Sequence, residues 1–165
     1  MRIFESSRQL LFGFLAGLST IIPAFGQQQP APGSDAERLV GIWRLVSITT
    51  DGKVNPDRGG RPTGYIFYTA SGEMAAQIQP ERPLMKMAGK EPSAQEALAA
   101  LKGYSAYFGT YLIDEKAKVI THRRTASVQP GTEVDGLRRY EFETNDRLIL
   151  GGVGTKNRNV WERIK

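Results

Sequence analysis

The sequence predicts an all-β fold: an eight-stranded antiparallel barrel with one short helix inserted between the third and fourth strands. Apolar and polar residues alternate over many short segments, as they do in half-buried strands. Turn residues, chiefly Gly, Pro, Asn and Asp, separate these segments. One segment alone shows the spacing of an amphipathic helix. A barrel of eight strands has an interior that can hold one small ligand.

The chain of 165 residues begins with the features of a secretory signal peptide. Two arginines precede an apolar run over residues 10–22, and the small residues Ala24 and Gly26 follow it. The run is shorter than the roughly 20 residues that cross a bilayer. An uncleaved membrane anchor is the alternative. We therefore predict a signal peptide over 1–26, a periplasmic or secreted protein, and no stable membrane insertion after cleavage.

The polar, Pro-rich segment 27–37 predicts a disordered leader, which leaves 38–165 as a single barrel domain. The chain has no cysteine, which excludes disulfides, thiolate catalysis and zinc-thiolate sites. Its net charge is +5, and the basic residues are scattered rather than clustered with aromatic residues. We therefore predict no nucleic-acid partner.

The first three strands are predicted over 39–50, 63–69 and 73–79. Alternation in the first strand places one set of side chains on a single face. This set is Trp43, Leu45 and Ser47. A Gly- and Pro-rich loop follows, and a Ser-Gly turn joins the second and third strands, which predicts a hairpin.

A helix is predicted over 93–102. Ser93 and Glu96 have the spacing of a capping box, and Leu98 and Leu101 lie on one helical face. Alternation then resumes, and five further strands complete the count of eight. These strands are predicted over 107–114, 118–128, 135–144, 146–152 and 158–164.

Six segments together resemble the bacterial and fungal lipocalin-like domain family, in that family's order over 39–164. They are LVGIWRLVS, GYIFYTASGEMAAQI, GYSAYFGTYLID, VITHRR, LRRYEFETNDRLIL and VWERI. Gly41 and Trp43 resemble the Gly-x-Trp of lipocalins. The resemblance implies a calycin-type barrel whose cavity takes an apolar small molecule, and it implies no settled activity. The chain lacks the Asn-Trp that many members carry near Pro130, so no ligand contact is expected from a Trp there.

The resemblance also implies that Trp43 closes one end of the barrel and that Arg163 lies across it. Elementary physics supports the pair, because a guanidinium over an indole face contributes about 0.5–2 kcal/mol. Gly41 leaves room for close backbone approach where the strand begins. The alternative is an ordinary core Trp with Arg163 in solvent.

His122 is the only imidazole in the chain and lies in a predicted strand. It is a candidate general base or a polar contact inside the cavity; the alternative is a strand His with one hydrogen bond. One His cannot build a multi-His metal site, and the chain has no phosphate-loop or GxSxG signature. We therefore predict no metal, no cofactor and no catalytic nucleophile.

Two arginine doublets lie on neighbouring predicted strands, and alternation turns one Arg of each doublet inward. If His122 faces inward, so does Arg124, which would then meet Arg138 or Arg139. Two guanidiniums beside one cavity would favour a carboxylate ligand. The alternative is that the doublets lie on the surface and pair with Glu141 or Glu143.

Tyrosines are the remaining candidates, because an apolar ring with one polar tip suits a cavity wall. Tyr107 and Tyr111 share a strand face, with Gly109 between them; the alternative is that the rings pack as core. The complete set of predicted ligand-binding residues is Tyr65, Tyr107, Tyr111, His122, Arg124, Arg138 and Tyr140.

These observations predict an exported protein that binds a small hydrophobic or carboxylate ligand in its barrel. The alternative is a cofactor-free isomerase or cyclase-type enzyme, in which His122 and a Tyr exchange protons with an apolar metabolite. A third possibility is a filled barrel that presents its surface to a protein partner. An inward His122 with converging Tyr or Arg groups favours the enzyme or a specific binder. An outward His122 excludes the His122 mechanism.

Overall fold

The computed structural model describes residues 30–165, so the predicted signal peptide over 1–26 lies outside the described residues. The described chain forms two helices and nine strands. The helices are α1 (Asp35–Leu39) and α2 (Ala94–Leu101). The strands are β1 (Gly41–Thr50), β2 (Lys53–Val54), β3 (Thr63–Tyr68), β4 (Glu73–Gln79), β5 (Ser105–Asp114), β6 (Val119–Ser127), β7 (Asp135–Thr144), β8 (Arg147–Gly152) and β9 (Asn157–Arg163).

Eight of the strands form a closed antiparallel barrel. β1 and then β3 to β9 pair in sequence order, and β9 pairs back onto β1, so every barrel strand has two neighbours. The short β2 adds only a two-residue extension to the end of β1. The prediction of an eight-stranded barrel is confirmed, and α2 lies between the third and fourth barrel strands as predicted.

The barrel core consists of the inward side chains of alternating positions, but a bulge interrupts the alternation in β1. Trp43 and Leu45 are buried, the register then shifts between Leu45 and Ser47, and Ile48 becomes the next buried residue. A bulge adds one residue to a strand and so exchanges its two faces. The expectation that Ser47 shares the face of Trp43 is therefore wrong.

Helix α1 closes the end of the barrel at which β1 begins. Ser34 caps it by accepting a hydrogen bond from the Glu37 amide, and Leu39 is fully buried in the core. The predicted disordered leader over 27–37 thus ends inside a helix, and that prediction is wrong for residues 35–37. Ser34 caps the first turn of the helix, and burial of Leu39 in the core holds its last residue in place.

Because consecutive strands run antiparallel, successive loops lie alternately at the two ends of the barrel. The closed end carries α1, the short turns near residues 70, 116 and 146, and the end of β9. The open end carries the longer loops 51–62, 80–104, 128–134 and 153–156. Helix α2 begins with the predicted capping box of Ser93 and Glu96, and none of its residues is buried. Within residues 30–165, neither helix is long and apolar enough to cross a membrane.

Candidate ligand-binding site

The closed end is built around Trp43. Its indole is fully buried and donates a hydrogen bond of 2.9 Å to the Leu39 carbonyl. The guanidinium carbon of Arg163 lies 4.2 Å from the centroid of the indole. Arg163 also donates to the Val40 carbonyl at 2.7 Å and to the Arg38 carbonyl. The predicted contact between Trp43 and Arg163 is confirmed, and it joins the two ends of the domain.

Gly41 is required at this end for two reasons. Its φ of +136° lies in a region that residues with a side chain rarely adopt. A Cβ at this position would also lie 2.7 Å from Nη1 of Arg163. The Gly-x-Trp pattern therefore serves the packing of Arg163 over Trp43.

Tyr140 also belongs to the closed end, although the sequence placed it among the ligand-binding candidates. Its hydroxyl donates a hydrogen bond of 2.8 Å to the Asp35 carboxylate, which also binds the Lys118 ammonium. Burial, together with the hydrogen bond and charge of Asp35, raises the pKa of Tyr140 well above its ordinary value. Tyr140 therefore anchors α1 to β7 and does not line the barrel cavity.

The barrel interior contains a cavity of about 280 Å³ near the open end. This volume lies just below the range of about 300–1,000 Å³ that is usual for small-molecule sites. Its apolar wall consists of Ile48, Ile66, Ala76, Ile78, Leu150 and Trp161. Its polar wall consists of Asn55, Arg58, Ser105, Tyr107, His122, Arg138, Thr155, Asn157 and Asn159. Such a wall suits a ligand with an apolar body and a polar group.

His122 lies between two tyrosines inside the barrel. Its side chain is 1% exposed; the Tyr68 hydroxyl is 2.7 Å from Nε2 and the Tyr107 hydroxyl is 3.0 Å from Nδ1. Burial, with the nearby charges of Arg138 and Arg124, lowers the pKa of His122 from 6.5 to about 3. The imidazole is therefore neutral at pH 7 and is a poor general base.

Arg138 faces the same cavity from β7. Within the described part of the chain it forms no salt bridge, and its one hydrogen bond goes to the carbonyl of its neighbour Leu137 at 3.0 Å. Among the described residues that line the cavity, none is Asp or Glu. The positive charge of Arg138 therefore lies at the cavity without a carboxylate from the described lining residues.

A second guanidinium, that of Arg58, reaches the cavity from the loop between β2 and β3. It donates to the Gly103 carbonyl and, at 2.6 Å, to the Ser105 hydroxyl. Burial lowers its pKa, yet an Arg remains charged at neutral pH. Because two of its nitrogens already have acceptors, Arg58 contributes positive potential to the cavity and leaves Arg138 as the freer donor.

Of the predicted ligand-binding residues, the structure brings Tyr107, His122 and Arg138 together at the cavity. Arg138, rather than Arg139, is the inward member of its doublet. Arg124 also turns away from the outer surface. However, its guanidinium lies 4.9 Å from the Tyr107 ring centroid and donates to the Glu133 carbonyl, so it packs behind Tyr107 and does not line the cavity.

Tyr111 and Tyr65 do not line the cavity either. Tyr111 packs edge-on against Tyr68, with ring centroids 4.9 Å apart, and donates to the Thr69 carbonyl. Tyr65 lies on the outer face of β3 with 44% of its surface exposed. There it borders an external groove between the barrel and α2.

Sequence reasoning missed Tyr68, Arg58 and Trp161. Tyr68 shares the buried face of Ile66, but Tyr65 shares the other face with Phe67, so alternation alone does not separate the two tyrosines. Trp161 lies two residues before Arg163 and could be placed inward once the contact between Trp43 and Arg163 was predicted. Arg58 lies in an irregular loop, where no periodicity indicates its direction.

The alternative, in which the arginine doublets pair on the surface with Glu141 or Glu143, is not found in residues 30–165. Arg123 pairs with Asp135, while Glu143 binds Arg147 and Arg158. The described residues also contain no group of three His, Asp or Glu side chains placed to hold a metal ion. The chemistry that this site offers is hydrogen bonding and positive charge beside an apolar wall.

The comparison with protein families agrees with this geometry. A family model described as a lipocalin-like domain matches residues 40–163, which include all eight barrel strands in full. Neither a curated protein nor a solved structure matches the chain.

Proposed function

Because the chain belongs to the lipocalin-like domain family, we propose that it is an exported protein that binds a small apolar or acidic molecule in its barrel cavity. Barrels of eight strands suit one small ligand, and the mouth of a barrel is a common site. The observation that carries the proposal is the cavity of about 280 Å³, which apolar side chains line together with Arg138, a residue that has no carboxylate partner among residues 30–165.

Export is supported by the N-terminal sequence alone. Basic residues, a short apolar run and small residues at Ala24 and Gly26 have the order of a cleaved signal. The test is the N-terminus of the protein recovered from its own host. A chain that starts at Gln27 in the periplasmic or culture fraction is expected. A full-length chain that stays in the cytoplasm would contradict export and leave the binding proposal standing.

Binding is tested by native mass spectrometry of the protein purified from its own host. We expect a bound small molecule of defined mass, which is lost on denaturation. A protein that carries no such mass and binds no apolar fluorescent probe would overturn the proposal. The cavity would then be a packing defect in a filled barrel.

The convergence of Tyr68, His122 and Tyr107 favours one alternative, an enzyme that isomerises or cyclises an apolar metabolite. A strong general base needs a pKa near the working pH, whereas the pKa of His122 is about 3. Both ring nitrogens of His122 are also within hydrogen-bond distance of a tyrosine hydroxyl, so the imidazole suits the positioning of these tyrosines better than proton abstraction. Incubation with the released molecule separates the two functions, since only the enzyme changes the arrangement of atoms in that molecule.

A further inference from the structure

We propose that the ligand carries a carboxylate, and that Arg138 and the Tyr107 hydroxyl bind it inside the barrel. This inference rests on the proposed function, because it names the chemical class of ligand for the same cavity. It is carried by the donors that face the cavity and by the direction of the hydrogen bonds around His122.

The first step concerns charge. Arg138 and Arg58 both reach the cavity, and the described lining residues include no carboxylate. A buried or half-buried cation is unfavourable unless an anion accompanies it. Arg58 already donates to two protein acceptors, whereas Arg138 bonds only the Leu137 carbonyl within the described chain. A guanidinium with free N–H groups fits both oxygens of a carboxylate.

The second step concerns the direction of the hydrogen bonds. The Tyr68 hydroxyl is buried, and His122 is its one hydrogen-bond partner among residues 30–165. A buried hydroxyl proton without an acceptor costs free energy, so Tyr68 donates to Nε2. A neutral imidazole carries one proton, which must then lie on Nδ1.

The third step follows from that tautomer. The Nδ1–H group donates to the Tyr107 oxygen, 3.0 Å away. The hydroxyl proton of Tyr107 therefore points away from His122, and Tyr107 lines the cavity. Tyr68 and His122 thus act as positioning residues that make Tyr107 a hydrogen-bond donor to the ligand.

A carboxylate fits these donors better than a neutral or a doubly charged group. A neutral alcohol leaves the charge of Arg138 without a partner. A phosphate monoester brings close to two negative charges at neutral pH, and Arg58, the second guanidinium at the cavity, already donates to two protein acceptors. The free N–H groups of Arg138 and the Tyr107 hydroxyl together match the two oxygens of one carboxylate.

The test uses octanoate, octanol and octyl phosphate as probes, each titrated into the protein that spans residues 27–165. The two indole N–H signals in a nitrogen-15 correlation spectrum report the site. Trp161 lines the cavity and its Nε1 has no partner among the described residues, whereas Nε1 of Trp43 is bonded to Leu39 at the closed end. We expect octanoate to shift the Trp161 signal and leave the Trp43 signal in place.

Two variants test the donors. Arg138→Gln should weaken octanoate binding by about 10- to 100-fold, which is the usual effect of a hydrogen bond to a charged group. Tyr107→Phe should weaken it by about three- to tenfold. Both variants should bind octanol as the wild type does, which shows that the cavity is intact. Arg139→Gln, on the outer face of the same strand, is the matched control and should change neither affinity.

The outcomes separate this inference from the proposed function. Octanol or octyl phosphate binding as tightly as octanoate would overturn the carboxylate assignment and leave small-molecule binding standing. An unchanged octanoate affinity in Arg138→Gln would overturn it as well. If none of the three probes shifts the Trp161 signal, both the carboxylate assignment and small-molecule binding in this cavity are overturned. Long-range nitrogen-15 spectra should also show His122 protonated on Nδ1, and protonation on Nε2 would contradict the role of Tyr107.

Discussion

The two ends of the barrel use the same residue types with opposite results. At the closed end, Arg163 lies over Trp43 and donates to two backbone carbonyls, and Tyr140 donates to Asp35. At the open end, Arg138, Tyr107 and His122 line a cavity that supplies no carboxylate within the described residues. These closed-end donors have protein acceptors, whereas Arg138 at the open end bonds only the Leu137 carbonyl within residues 30–165.

This difference shows that residue type does not decide whether an Arg or Tyr is structural. A guanidinium with carbonyl partners and an aromatic face stabilises the fold. A guanidinium without them stabilises the fold little, and can instead stabilise a complex when a ligand supplies the acceptor. The following experiments test this contrast, beginning with the largest expected effect.

We expect Trp43→Ala to lower the free energy of unfolding by about 3–5 kcal/mol, as truncation of a large buried aromatic residue generally does. The indole fills the closed end and supports Arg163, so both contacts are lost together. Urea denaturation monitored by circular dichroism measures the change. Phe108→Ala, on the outer face of β5, is the control and should cost less than about 1 kcal/mol. Similar losses in the two variants would contradict a closed end built on Trp43.

Arg163→Gln should lower the free energy of unfolding by about 2–3 kcal/mol. The substitution removes the contact over the indole and leaves the carbonyls of Val40 and Arg38 short of a donor. The same denaturation experiment measures it. If Arg163→Gln unfolds at the wild-type urea concentration, the stacking over Trp43 is not stabilising.

The pH dependence of stability should show the burial of His122. The pKa of His122 is about 3 in the folded protein and near 6.5 in the unfolded chain. Between these values the unfolded state binds a proton that the folded state excludes, so stability rises with pH. The contribution is complete above pH 6.5 and is lost as the pH falls towards 3. Between pH 6.5 and 5.0 we expect a loss of about 1.5 kcal/mol.

His122→Gln provides the comparison for that measurement. Carboxylates also lose stability in acid, but mainly below this interval. The variant should therefore show a nearly flat free energy of unfolding from pH 6.5 to 5.0. Parallel slopes for the wild type and the variant would mean that His122 is protonated in the folded barrel.

Arg138→Gln should change the free energy of unfolding by less than about 0.5 kcal/mol, or should stabilise the protein slightly. The guanidinium has no salt bridge in the described structure, so its removal breaks no stabilising pair. Urea denaturation of Arg138→Gln and Arg163→Gln side by side compares the free energy of unfolding that each arginine contributes, one at the open end and one at the closed end. A loss as large as that of Arg163→Gln would mean that Arg138 is structural.

Much of the fold could be predicted from the sequence because local patterns specify it. Alternation located the barrel strands and a capping box located α2, whereas the contact between Trp43 and Arg163 was an implication of the resemblance to the lipocalin-like family. Features that depend on tertiary context could not be predicted. The bulge after Leu45 leaves no mark in the amino-acid pattern, and helix α1 depends on the burial of Leu39 as much as on its own residues.

The site was predicted only in part for the same reason. His122 and Arg138 follow from strand alternation, and both line the cavity. The segment Tyr-Ile-Phe-Tyr has aromatic residues on both faces, so polarity did not favour Tyr68 over Tyr65. Tyr140 faces inward as expected, but it lies at the opposite end of the barrel. Strand alternation predicts which face a residue occupies and does not predict its position along the barrel axis.

Because β1 pairs with β9, the barrel and its cavity can close only after β9 has been synthesised. Contacts across this seam join residues that are 107 and 123 positions apart, at Thr50 with Asn157 and at Val40 with Arg163. Such distant contacts form late and slow the folding of a β-protein. A ribosome product that stops before β9 has two open edges and an uncovered Trp43, and exposed edges favour aggregation and proteolysis. Only a chain that includes β9 can therefore close the barrel around its cavity.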